Sequence, residues 1–179
     1  MAPATPTQHV LLGLLDIAPR HGYELKREYD SRFPALRPLR FSQIYSTLAR
    51  LDRDGLVALI DESAGQGPDR KQYAITPTGI GDLETWLDTP LPPDEPPQGE
   101  LFLKITLALL GGRDAAEVIT SQREVHMEHM RALRSTRRTA TGEAERTMAD
   151  YRLFHLEADI KWMEHTQERL DRLGQELAS

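Results

Sequence analysis

The stretch Phe41–Val57, FSQIYSTLARLDRDGLV, decides how the chain is read. Ser42 can accept from a free backbone N–H, which predicts an N-cap. Gly55 takes the left-handed conformation without a Cβ penalty, which predicts the stop. Between them Ile44, Leu48 and Leu51 recur at spacings of four and three and stripe one helix face. The opposite face carries Gln43, Tyr45, Ser46, Thr47, Arg50 and Arg53, and carboxylates come only near the end, at Asp52 and Asp54. Such side chains bond base edges and phosphates, so the stretch is expected to be a DNA-recognition helix.

Outward from this helix, the pattern stays consistent. On the N-terminal side a mostly apolar helix, about His9–Ile17 with Thr7 as its cap, ends at Pro19. Arg20-His21-Gly22 reads as a turn and Tyr23–Phe33 as a second helix. Pro34 and Pro38 then break the chain before Phe41. Three short helices with tight connections, the third amphipathic, form a helix-turn-helix pattern. On the C-terminal side the period changes. Leu56–Ile60 and Arg70–Thr76 read as strands around a turn at Ala64–Pro68. A hairpin placed there is the wing of a winged helix. It carries Arg70 and Lys71 near its tip, where they can reach phosphate or the minor groove. Thr76-Pro77 opens a fourth helix with Leu83, Trp86 and Leu87 on its apolar face.

Thr89–Gly99 holds five of the chain's twelve prolines and no helical pattern. It is expected to be a semi-rigid linker. The domains expected are therefore residues 1–89 as winged helix, 90–99 as linker and 100–179 as a helical dimerisation and effector domain. Beyond the linker an apolar helix, Leu101–Leu110, contains one charge, Lys104, and stops at Gly111-Gly112. Asp114 can cap the next helix, which runs towards Thr139. The last helix is read as about Glu143–Leu177. Its three-four series Leu153, Leu156, Ile160, Met163 and Leu170 resembles a coiled-coil seam. The seam is expected to pair with a second copy and also with the preceding helix.

Composition sets the remaining limits. The chain has 179 residues, 39% of them hydrophobic and 28% charged, as in ordinary globular proteins. There is no Cys, and no basic leader or apolar run long enough to span a bilayer, so a cytoplasmic protein with no membrane partner is expected. The net charge is 22 − 28 = −6, yet Arg32–Arg53 carries five Arg against Asp52, a local +4. Phosphate contact depends on such a patch more than on the total.

No Ser/His/Asp arrangement, phosphate loop or paired-carboxylate cleft is present, so no enzyme and no cofactor are expected. His126, His129, His155 and His165 lack a metal-ligand motif and are expected to serve at a surface or interface. A winged helix used only for protein interaction is the alternative reading. It would carry an apolar or acidic recognition face, and this one is polar and basic.

The motifs LLGLL (Leu11–Leu15), HGYEL (His21–Leu25), SQIYSTLARLDRDGLV (Ser42–Val57), RKQYAITPTG (Arg70–Gly79) and Trp86-Leu87 resemble those of PadR-type transcriptional regulators. The resemblance covers the first half in order and spacing. The FLKITLAL opening of the second half and its length are similar to the larger subfamily. The resemblance implies a mainly α fold with a small β-hairpin, a winged helix joined to a helical dimerisation domain. It implies a homodimer on inverted-repeat double-stranded DNA, usually a repressor, responding to an aromatic effector. Where many members have proline, this chain has Ser46, which puts a borrowed operator sequence in doubt. The DNA-contact candidates are thus Ser42, Gln43, Tyr45, Ser46, Thr47, Arg50, Arg53, Arg70 and Lys71, with Tyr23 and Arg40 as further phosphate candidates. Trp86, Tyr151, Phe154, His155 and Trp162 are the effector candidates. The aromatics of the last helix have an alternative use as interface packing.

Overall fold

The computed structural model of the protein describes residues 7–33, 38–62, 71–93 and 98–178. The chain divides into two compact units, Met1–Leu87 and Asp88–Ser179.

The first unit is built on α1 (Thr7–Ile17), whose residues Val10–Leu15 are all buried. Against it pack α2 (Gly22–Arg32) and α3 (Phe41–Arg53). Glu24 accepts from the His21 N–H at 2.8 Å and so closes the first turn of α2. Tyr29 and Phe33, ring centroids 5.8 Å apart, fill the α2 end of the core.

The predicted hairpin is present as β2 (Val57–Glu62) and β3 (Lys71–Ile75), antiparallel with Val57 opposite Ile75 and Leu59 opposite Tyr73. The register shifts between Leu59 and Asp61, a bulge that leaves Ile60 exposed. The sheet also has a third strand. Arg20-His21, expected as a turn, is β1, and it pairs antiparallel with β3 through Arg20–Tyr73 and His21–Gln72. Two residues hold too little pattern to announce a strand, and the pairing is supplied entirely by β3. The expected wing turn, Ala64–Pro68, lies outside the described residues, as does Arg70.

Thr76 joins this sheet to α4 (Pro77–Asp88). Its hydroxyl donates to the Gly55 carbonyl at 2.7 Å and accepts from the Gly79 N–H at 3.1 Å. Gly79 permits the joint, because a Cβ there would overlap the Leu56 carbonyl oxygen.

The second unit contains α5 (Gln98–Leu110), α6 (Ala115–Thr139), α7 (Glu143–Gln167) and α8 (Leu170–Ala178). α5 ends at Gly112, φ +67, with Arg113 N–H donating back to Ala108. This is the wrapped helix end that glycine favours. Asp114 caps α6 by accepting from Ala116 and Glu117 N–H. α6 and α7 run antiparallel, bracketed by Arg123–Glu164 at one end and Arg137–Asp150 at the other.

One expectation fails here. The last helix is not continuous: it turns at Glu168-Arg169, and α8 folds onto α5. Thr166 Oγ1 donates to the Trp162 carbonyl at 2.8 Å, a back-bond that bends helices. The bend also brings Leu170 and Leu173 onto the core. The expected packing of the last helix on the preceding one is present, through Leu153, Leu156, Ile160 and Met163. They are buried against Leu101 and Ile105 of α5 and Ile119, Met130 and Leu133 of α6. Periodicity marks a face to be covered, and within one chain α5 and α6 already cover it.

Candidate nucleic-acid interface

α3 is fixed at both ends. Its N-cap is Arg40 rather than Ser42, because the Arg40 N–H is held by Gln43 Oε1 at 2.8 Å, which starts the helix two residues earlier. Ser42 becomes an exposed residue of the first turn. At the other end Gly55 adopts φ +72, with Gly55 N–H donating to Asp52 and Leu56 N–H to Leu51. Both carbonyls of the last turn are thereby satisfied. Ile44, Leu48 and Leu51 are buried as their spacing predicts.

The outer face consists of Ser42, Gln43, Ser46, Ala49, Arg50 and Arg53, all exposed. Gln43 uses its carbonyl oxygen on Arg40, which directs its NH₂ to outside acceptors. The Ser46 hydroxyl donates to the Gln43 carbonyl at 3.1 Å and keeps its lone pairs for an outside donor. Arg50 touches Gln8 Oε1 at 3.3 Å, and Arg53 touches Asp54 at 3.4 Å. Contacts this long and exposed hold their guanidinium groups weakly.

Two expected readers sit elsewhere. Thr47 is 9% exposed and belongs to the buried side, since it falls one turn from Ile44 and Leu51. Tyr45 is half-buried against Gly22, where a Cβ would lie 2.5 Å from its ring. Tyr45 therefore sets the approach of α2 to α3, and its ring is committed to that contact.

Around this face, Arg40 and Tyr23 are exposed, and the Tyr23 ring stacks on His21 at 5.7 Å. Lys71 opens β3 and is half-buried. Two residues not singled out by sequence also belong here. Phe41, the first residue of α3, is 53% exposed, and Lys26 of α2 places its ammonium 5.7 Å from the Phe41 ring centroid. A lone phenylalanine opening a polar helix face was the available signal. Behind them Glu28 is held below the usual carboxylate range by its bond to Arg32, with Arg20 adding to the effect. It thus stays ionised and neutralises part of the cationic surface.

The effector candidates do not converge. Trp86 stacks flat on His9, centroids 4.7 Å apart, within the first unit. In the second, Tyr151 and Phe154 are 59% and 68% exposed, and His155 lies against Tyr151 at 4.0 Å. Trp162 instead lines a separate cavity of about 390 Å³ at the α7–α8 bend, with Arg169 and Arg172.

The histidines also separate. His126 is buried rather than at a surface, between Gln122 and Asp159 (Nε2 to Oδ2, 3.8 Å). Burial pushes its pKa down. Gln122 holds the backbone of Leu91 on both sides, at 2.6 and 2.9 Å. Lys104, also buried and with its pKa lowered by burial, donates to the Thr89 carbonyl. The first part of the proline-rich stretch is therefore a strap fastened to the helical unit. Among the described residues no cluster could hold a metal ion, and no helix is long and apolar enough to cross a membrane.

Residues 11–85 match the model of the transcriptional regulator PadR-like family. The chain is similar to the "Probable transcriptional regulator Rv1176c" of Mycobacterium tuberculosis. The two are 28% identical over 149 residues, covering 79% of this chain and 77% of that protein. It is also similar to the negative transcriptional regulator PadR of Bacillus subtilis, 25% identical over 116 residues and 64% of each chain. Among solved structures, Bacillus subtilis PadR in complex with operator DNA aligns with a TM-score of 0.47 at 21% identity. That alignment covers 92% of this chain and 99% of the other.

Proposed function

The chain is a PadR-family transcriptional regulator by its residues 11–85, and from that premise we propose that it represses transcription as a homodimer on an inverted-repeat operator. The observation that carries this reading is the outer face of α3, whose exposed side chains from Ser42 to Arg50 include donors, acceptors and a cation but no carboxylate. Laid in a major groove, Gln43 and Ser46 meet base edges, where donor and acceptor patterns distinguish all base pairs. Arg40, Arg50, Arg53 and Lys71 meet phosphates. The caps at Arg40 and Gly55 and the Tyr45–Gly22 contact support this use, because they fix the helix before DNA arrives.

Two copies would present two such helices to half-sites about one turn, roughly 34 Å, apart. The residues a second copy would cover are Met148, Tyr151 and Phe154, the exposed apolar side chains of α7. Repression is the direction we assign, by likeness to the negative regulator of Bacillus subtilis. An aromatic effector would release DNA only by favouring one arrangement of the dimer over another. Its candidate site is the Trp162 cavity at the α7–α8 bend.

Fluorescence anisotropy on a duplex from the protein's own upstream region tests the reading. With four cations per copy, eight in the dimer, affinity should fall on the order of ten-thousandfold between 50 and 200 mM salt. No binding at 50 mM salt, to that duplex or to a random pool, would leave a protein-interaction module.

A further inference from the structure

We propose that Phe41 reads the 5-methyl group of a thymine at the edge of each half-site, making it a specificity residue distinct from the polar face. The proposal rests on α3 being the reading helix. Phe41 is the first residue of that helix, and recognition helices bring their N-terminal residues closest to base edges. Its ring is 53% exposed although Ile44, Leu48 and Leu51 of the same helix are buried. Burial in the core therefore does not account for a phenylalanine at this position.

The surroundings decide what would cover it. Phe41 is followed by exposed Ser42 and Gln43, and the Lys26 ammonium stands 5.7 Å from its ring centroid. A protein partner would call for a contiguous apolar patch, and here the Phe41 ring is bordered by Ser42, Gln43 and a cation. A thymine edge has the matching layout: one methyl group beside acceptors and a phosphate chain. Lys26 also bonds Asp30 on its own helix, so the ring is bordered by an ion pair. Ala49, the exposed apolar residue of the outer face, lies about two turns further along α3 and would meet a different base pair.

The test uses the full-length chain and a duplex selected by it from a random pool. Each thymine is replaced in turn by deoxyuridine, which removes only the methyl. The wild type should lose about three- to five-fold in affinity at one thymine of each half-site, the size of one buried methyl. Phe41→Ala, which removes the ring from both copies, should lose the square of that factor on the unmodified duplex, roughly ten- to twenty-five-fold, and then be indifferent to that replacement. Phe41→Leu, which keeps an apolar surface, should retain the sensitivity. Unchanged melting temperatures confirm folding, as expected for so exposed a side chain. The proposal is overturned if Phe41→Ala keeps the full deoxyuridine penalty, or if the wild type is indifferent at every thymine. Absence of any selected duplex would overturn the regulator reading as well, a result distinct from either.

Discussion

The two units place their polar groups in opposite ways. In the first, the core is aliphatic and aromatic (Leu11, Leu14, Leu25, Tyr29, Phe33, Ile44 and Leu48), and the donors of α3 face outward. In the second, Lys104, Thr106, Gln122, His126 and Asp159 are buried, while Met148, Tyr151 and Phe154 are exposed. A mostly apolar core, in which Thr47 is a buried polar residue, with a polar face outside it needs no second copy to cover it. A core with polar groups and an apolar face depends on its internal bonds and leaves its surface for another molecule. The first unit should thus fail through backbone fit, and the second through lost hydrogen bonds or a lost partner.

The largest effect expected is at Gly79. In Gly79→Ala the new Cβ meets the Leu56 carbonyl, which is backbone and cannot rotate away. A loss of about 2–4 kcal/mol is expected, read as a lower melting temperature with DNA binding lost alongside. Next comes Gln122→Leu in the second unit. It strips both backbone bonds from Leu91 and should cost about 1–3 kcal/mol. Hydrogen exchange supplies the specific readout: the Leu91 amide should lose protection while those of α3 keep theirs. Equal loss everywhere would erase the distinction between the units.

The exposed face gives a third effect. Tyr151→Glu with Phe154→Glu should turn dimers into monomers in sedimentation, with far-ultraviolet circular dichroism unchanged. Operator affinity should then drop, since each copy holds only one half-site. If the pair of substitutions leaves a dimer, the face serves something other than a second copy.

How much of this could be read in advance depended on how local the signal was. Gly55, Gly112, Asp114 and the Phe41–Arg53 stripe act through their immediate neighbours, so sequence located each within a residue or two. β1 could not be read, because its strand character is lent by Tyr73 and Gln72 some fifty residues away. The Leu153–Leu170 series marked a face for the preceding helix, but not the share of that face that Leu101 and Ile105 of α5 cover. The continuous pattern also hid the bend, which depends on one hydroxyl, Thr166, and on docking of α8 against α5. Thr47 and Tyr45 looked like readers because both are polar. Only the approach of α2, permitted by Gly22, committed Tyr45 to packing. Nothing in an apolar helix foretold that Lys104 would be turned inward to a carbonyl.

Acidity should separate the units further. Burial lowers the pKa of His126, while the Gln122 carbonyl and Asp159 oppose that shift and His129 adds to it. The folded state thus prefers neutral His126. Its contribution is fully present above the ordinary histidine range, near pH 6.5. That contribution is lost as pH falls through this value towards the lowered one, because the unfolded chain takes the proton first. The slope is at most about 1.4 kcal/mol per pH unit for one group. Stability measured between pH 8 and 5 should follow this in the wild type and flatten in His126→Gln.

The smallest effects lie on the surface, where arginines in the two units look alike but are put to different uses. Arg134 pairs with Glu157 across α6 and α7 at 3.7 Å, both side chains about half exposed. Solvent screens such a pair, so Arg134→Ala should change stability by less than about 0.5 kcal/mol and leave DNA affinity alone. Arg53, still more exposed and loosely touching Asp54, should be as silent in a melt. Its loss should appear only with DNA present. Arg53→Ala should weaken operator and nonspecific duplexes alike and reduce the salt slope by about one per copy. A slope that stays at the wild-type value would take Arg53 off the phosphate contacts and end the α3 part of the interface at Arg50.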